Sequence, residues 1–289
     1  MRVLVTGHRG YIGSVLIGVL RRARFEVVGL DRNKNAAGNF GRIRETVPHF
    51  DMDLSRIDIA DVAPFDTVIH LAASTSALDD GRNGRSGPTS DLEDTVRLAE
   101  CCKRACVSRL LFASTCAVYE RNRWASGRED DLVDPLSPAA ASKREAERAL
   151  LAMQDRSFHP VIVRQADVYG VSPRLRLDLP LNGMVAEAVT TRRVRVPRSA
   201  ARRPVIHVHD LARVYVTLLH APEEKIAGEV FNAAAPDGNL RLIEYADLVA
   251  EYLPAVTRSI DLRARGAISY AADGSKLMER FRSFAYHWT

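Results

Sequence analysis

Apolar and polar positions along the first half of the chain fall into two alternating patterns. Short apolar runs of strand length lie at Arg2–Thr6, Glu26–Asp31, Thr67–Ala72, Arg109–Ala113 and Pro160–Arg164. Helical patterns lie between them at Tyr11–Arg22, Asp91–Ala105 and Ala139–Met153. Alternation of this kind requires crossover connections, so it predicts an α/β fold with a parallel sheet and helices on both faces. The polar stretches Ser76–Thr89 and Glu120–Ser137 read as loops. After about Gly170 the pattern becomes irregular. Short strands at Val194–Val196, Val205–Val208 and Glu229–Ala233 mix with helices at Leu179–Val189, Asp210–His220 and Ile243–Tyr252. This predicts a Rossmann-type doubly wound domain over 1–170, to which some later segments return, and a smaller, mixed, discontinuous C-terminal lobe over 171–289.

Composition narrows the class. The chain has 289 residues, 46% of them hydrophobic and 27% charged, which excludes a disordered or collagenous chain. No apolar stretch is long enough to cross a membrane, and the N-terminal MRVLVTGHRG has no signal-peptide character, so a cytoplasmic protein with no membrane partner is expected. The net charge of +5 is spread over scattered arginines without a basic run, a zinc-finger pattern or an RNP pattern. A phosphate-bearing small molecule suits those arginines better than nucleic acid. Cys101, Cys102, Cys106 and Cys116 have no histidine nearby to complete a metal set, so no metal is expected and reduced core thiols are.

The sharpest motif is TGHRGYIG at Thr6–Gly13. It follows a strand and opens a helix, the context a dinucleotide loop requires. Gly7 permits a tight turn, Gly10 a close approach to a pyrophosphate, and Gly13 close packing of helix on sheet; Tyr11 and Ile12 lie between the last two. The helix N-terminus offers N–H groups and a positive dipole end to the phosphates. Asp31 ends the second strand, 18 positions beyond Gly13. A carboxylate there accepts from ribose hydroxyls and repels a 2′-phosphate, which favours NAD over NADP. Arg32 beside it works in the opposite sense.

With Asp53–Leu54, VIHLAA at 68–73, FASTCAVY at 112–119 and the Ser142–Lys143 pair, these residues resemble the extended short-chain dehydrogenase/reductase family. The segments 163–191 and 202–213 resemble its NAD-dependent epimerase/dehydratase branch, which acts on nucleotide-linked sugars. The resemblance implies that Asp53 and Leu54 flank the adenine and that Leu71, Ala72 and Ala73 line the cofactor cleft. It implies that Thr115 orients a substrate hydroxyl and that Lys143 holds the nicotinamide ribose. Arg203 matches a diphosphate-binding arginine, with Asn182, Arg174 and Arg176 as further substrate-side candidates, and Asp167 and His207 lie in the same motifs. It also implies a C₂ homodimer through Asp91–Ala105 and Ala139–Met153, whose Ala and Cys stripes permit close approach. Relatives continue past the tail near Trp288, so a trimmed lobe is expected.

One position departs from that pattern in a way that bears on chemistry. The family's acid/base tyrosine stands four residues before the lysine, and here that residue is Ala139. Asp91 stands at the position of an active-site asparagine, and Glu120 at that of a glycine. Cys116, in the slot where sugar dehydratases carry an acid, and Tyr119 are candidate replacements. The expected activity is therefore that of a nucleotide-sugar epimerase or dehydratase with a non-standard acid/base. The alternatives are a non-redox enzyme on the same scaffold, an impaired NAD-binding protein, or an active enzyme whose tyrosine has been substituted.

Overall fold

Val3, Leu4 and Val5 set the layering. All three are fully buried in β1 (Arg2–Thr6), and successive strand residues point to opposite faces. Val3 and Val5 pack into one core and Leu4 into another. Both faces of the strand are thus covered, which is why its sequence is apolar without alternation.

A computed structural model describes residues 1–32, 40, 46–73, 87–121, 126–197, 201–261 and 268–288. The other strands are β2 (Glu26–Asp31), β3 (His49–Asp51), β4 (Thr67–His70), β5 (Arg109–Thr115), β6 (Ser126–Gly127), β7 (His159–Gln165), β8 (Asp167–Tyr169), β9 (Arg193–Pro197), β10 (Arg202–His207), β11 (Val230–Ala233), β12 (Asn239–Arg241), β13 (Thr257–Asp261) and β14 (Ala271–Ala272). The helices are α1 (Tyr11–Arg22), α2 (Ile59–Val62), α3 (Pro88–Arg104), α4 (Pro138–Ala152), α5 (Pro180–Thr191), α6 (Val208–His220), α7 (Leu242–Tyr252) and α8 (Ser275–Arg280).

Seven strands form one parallel sheet in the order β11-β7-β5-β4-β1-β2-β3. This is a Rossmann-type doubly wound sheet. The core containing Val3 and Val5 holds residues of α1 and α6, and the core containing Leu4 holds residues of α3 and α4. Strand order reverses between β1 and β4, and ligands of such sheets bind outside the carboxyl ends of the strands at that switch point. A third core gathers Met184, Ala188, Val194, Val196, Leu242, Tyr245 and Val249 from α5, β9 and α7. The second half of the chain is split between these parts, since β11 forms the edge of the large sheet while β8, β10 and β12 pair separately.

Several boundaries differ from expectation for local reasons. The helix expected from Asp91 begins at Pro88, because proline at a first helical position lacks only an N–H that the helix leaves unpaired anyway. The rest of the loop expected there, 76–86, lies outside the described residues, as do 122–125 of the loop at 120–137. The Ala and Cys stripe of α3 also differs from expectation. Leu98, Ala99, Cys101 and Cys102 pack into the chain's own second core, while Glu93, Arg97, Glu100 and Arg104 face outward.

Candidate active site

The loop after β1 is built for a close ligand. Gly7 has φ +72°, and a Cβ there would sit 2.8 Å from Ala72 N; at Gly13 it would sit 2.3 Å from Gly7 O. Only glycine fits either position. No side chain caps the first turn of α1 among the described residues, so its N–H groups remain available to an anion. Ile12 packs against the core below. Leu71, Ala72 and Ala73 follow β4 on the other side of the switch point, with Leu71 N bonded to Thr6 O at 3.2 Å.

Charge organises the residues around Asp31. Asp31 Oδ2 accepts from Arg9 N at 2.9 Å, which holds the carboxylate over the loop. Arg32 lies 3.5 Å from Asp53, whose carboxylate also accepts from Ser55 N at 3.0 Å. Leu54 is buried in the second core. Beneath the cleft runs a buried line of hydrogen bonds that sequence reading did not find. Thr6 Oγ1 and His70 Nδ1 are 2.7 Å apart, and His70 Nε2 lies 3.0 Å from Thr95 Oγ1. Burial pushes the His70 pKa down to about 3, so its ring is neutral.

Thr115 ends β5, half-buried, with Oγ1 accepting from Ala117 N at 3.1 Å. Lys143, on α4, donates from Nζ to Ala113 O at 2.9 Å and lies 4.6 Å from the centre of the Phe112 ring. Burial lowers its pKa to about 8, against the opposing pull of Asp91 and Glu147. Ala139 stands one turn earlier on the same helix and is exposed. Glu120 is buried, and its carboxylate accepts from Leu136 N, Ser137 N and Ser137 Oγ at 2.7–3.0 Å, just ahead of α4. A carboxylate at a helix N-terminus suits the dipole there.

Two candidate acid/base residues are corrected by the structure. Cys116 is fully buried, its thiol donates to Arg164 O at 3.2 Å, and burial pushes its pKa well above the ordinary range. Tyr119 is also fully buried. Its phenol meets Arg128 O and Asn232 Oδ1, both at 2.9 Å, and accepts from Arg164 Nη1 at 2.7 Å; burial raises its pKa. Strand β5 passes into a helical turn at Cys116, and both side chains are carried inward to the core. Neither reaches a ligand in the cleft.

On the substrate side, Asn182 is corrected as well. Its Oδ1 accepts from Gly170 N at 3.0 Å, and its Nδ2 donates to Tyr11 Oη at 3.1 Å and Arg176 O at 3.0 Å, so its amide is consumed in linking segments. Arg176 pairs with Asp178 at 2.5 and 2.6 Å, and Arg174 N bonds Ser172 Oγ at 3.2 Å. Arg203 pairs with Asp167 through Nε at 2.8 Å and Nη2 at 3.1 Å, over the ring of Tyr270. Nε and Nη2 are thus engaged by that carboxylate. His207 caps α6, accepting from His209 N at 3.4 Å, and lies beside Trp288. That is a structural role.

Residues 3–234 match the family model of the NAD dependent epimerase/dehydratase family. The chain belongs to this family. It is 30% identical over 240 residues to a UDP-glucose 4-epimerase of Azospirillum brasilense, covering 76% of this chain and 68% of that one. A second UDP-glucose 4-epimerase, from Corynebacterium glutamicum, is 27% identical over 265 residues, or 82% of this chain and 76% of the relative. Among solved structures, MoeE5 in complex with UDP-glucuronic acid and NAD has a TM-score of 0.83 and 26% identity, covering 100% of this chain and 95% of the other. The chain is thus an NAD-dependent enzyme of the epimerase and dehydratase type, and the uncapped helix, the glycine cradle and Asp31 fit that cofactor. Among the described residues no helix is long and apolar enough to cross a membrane, and no cluster could hold a metal ion.

Asp31 sets an expectation for cofactor choice. NAD should bind at least about tenfold, or 1.4 kcal/mol, more tightly than NADP, and Asp31→Ala should shrink that ratio. Equal affinities by calorimetry in the unaltered chain would assign the deciding role to Arg32.

Proposed function

We propose that the protein oxidises a carbon of a nucleotide-linked sugar and then returns the hydride, as an epimerase or a dehydratase does. The observation that carries this reading is the convergence of Thr115, Lys143 and the dinucleotide loop at the carboxyl ends of β1, β4 and β5. When bound, NAD supplies the hydride acceptor, and the remaining work falls to the chain. Thr115 presents a hydroxyl at the end of β5 to orient a sugar oxygen. Lys143 holds a cation at the base of the cleft. Arg203 offers its guanidinium to a diphosphate, a contact that suits guanidinium geometry.

Mass spectrometry of small molecules released on denaturation tests the reading. Incubation with NAD and UDP-glucose, followed by chromatography for an epimerised or dehydrated nucleotide sugar, is the matching activity assay. A co-purifying nucleotide sugar or such a product supports it. NAD released with only non-sugar compounds, together with no epimerised or dehydrated product from any nucleotide sugar, would favour a non-redox enzyme on the same scaffold. A C₂ dimer through α3 and α4 also belongs to this proposal, with charged rather than apolar outer faces on α3.

A further inference from the structure

We propose that Lys143 is itself the acid/base of this site, its amine exchanging the substrate hydroxyl proton that a phenol at position 139 would otherwise take. The identity of the substrate rests on the nucleotide-sugar reading above; the role of the amine does not.

The geometry engages several other described groups near the ends of β5 and α4. Ala139 offers a methyl on the helix face one turn before Lys143. Cys116 and Tyr119 are turned into the core with their polar atoms engaged. The Tyr11 phenol donates to Gly170 O at 2.7 Å and accepts from Asn182. The Ser114 hydroxyl is bonded to Glu147, and both oxygens of Glu120 serve the entry to α4.

Lys143 differs from all of these. Among the described residues its Nζ has one hydrogen-bond acceptor, Ala113 O, so two of its three N–H positions are uncommitted. No described carboxylate forms an ion pair with it at contact distance, and the face of Phe112 lies beside it. The charged and titratable groups facing it are Asp91 on α3, Glu147 on α4 and the neutral His70 on β4. Burial outweighs the two carboxylates and brings the amine to about 8. An ordinary lysine near 10.4 is a poor base at neutral pH, whereas one near 8 is matched to the task.

The step balances. The carbinol carbon gives its hydride to the nicotinamide oxidant, the carbon–oxygen bond becomes a carbonyl, and the hydroxyl proton passes to the neutral amine, directly or across one solvent molecule. Return of the hydride to the carbonyl draws the proton back from the ammonium.

Two measurements test this. The chain has five lysines, Lys34, Lys103, Lys143, Lys225 and Lys276, so isotope-labelled lysine side chains can be titrated individually by NMR in the unaltered protein. Lys143 is expected to titrate near 8 while an ordinary lysine titrates near about 10.4. A Lys143 titration at the ordinary value overturns the proposal whatever the substrate proves to be. The second measurement uses Lys143→Arg, which keeps the cation but holds its proton. NAD affinity should stay within about tenfold, while the conversion of UDP-glucose to its epimerised or dehydrated product falls by at least about 100-fold and loses its rise with pH through 8. Retained activity in Lys143→Arg overturns the proposal. A titration near 8 with no epimerised or dehydrated product from any nucleotide sugar would support the poised amine and overturn the substrate reading instead.

Discussion

Glu147→Ala should cost the protein about 3–5 kcal/mol of stability, enough to leave a marginal fold largely unfolded. Glu147 is fully buried on α4, and Arg164 on β7 is 3% exposed. The guanidinium reaches the carboxylate through Nε at 3.1 Å and Nη2 at 2.9 Å, and Ser114 donates to the same carboxylate. Nη1 of Arg164 goes on to Tyr119 Oη and to Glu129 O at 3.2 Å. Removing the acid leaves a buried cation and a buried hydroxyl without their main acceptor. The cost is that of the stranded charge rather than of the pair itself. Glu147→Leu combined with Arg164→Met should therefore recover much of the loss. Urea denaturation of the unaltered protein and the two variants measures it, and a loss below about 1 kcal/mol for Glu147→Ala would show that the pair is replaceable by solvent.

Ala139→Tyr is expected to raise the turnover of UDP-glucose to its epimerised or dehydrated product by at least about tenfold, since well-placed acid–base assistance is worth roughly 10²–10⁴ in rate. The phenol would stand one helical turn from Lys143, on the same face of α4. An ammonium so close stabilises the phenolate and lowers the phenol's pKa, while the phenolate raises that of the amine. The rise of activity with pH, set by the amine near 8 in the unaltered chain, should then move to lower pH. A pH–rate series on both proteins measures this. An unchanged rate with an unchanged profile would mean that position 139 does not face the reacting carbon.

The dinucleotide loop was legible because its physics is local. A buried strand, glycines that no other residue can replace, and a helix start within eight residues leave few alternatives. Asp31 follows from the same unit. The short pairings were not legible: β8 with β10, β10 with β12, and β14 with β6 join residues far apart in sequence, and runs of two or three residues carry no periodicity. Cys116 and Tyr119 misled for a related reason. Their motif marks the end of β5, but the direction of each side chain depends on a turn that begins at Cys116. The burial of Glu147 was not read from the sequence either. Its spacing of four from Lys143 was the available signal, since it puts both on the face that meets the sheet. Asn182 read as a ligand for phosphate because one of its partners, Tyr11, comes from a distant part of the chain and the other, Gly170, is brought back to it by the path of the intervening residues.

Tyr11 gives this arrangement a mechanical consequence. It opens the helix that receives the dinucleotide, yet its phenol grips Gly170 O and Asn182, and its carbonyl accepts from Ser172 Oγ at 2.7 Å. Ser14, one turn along, meets the same Ser172 hydroxyl at 2.9 Å. Residues 170–182 are thereby joined to the first turn of α1 at four points. These bonds make the first turn of α1 and residues 170–182 one fastened unit, so a substitution that loosens either would loosen the other.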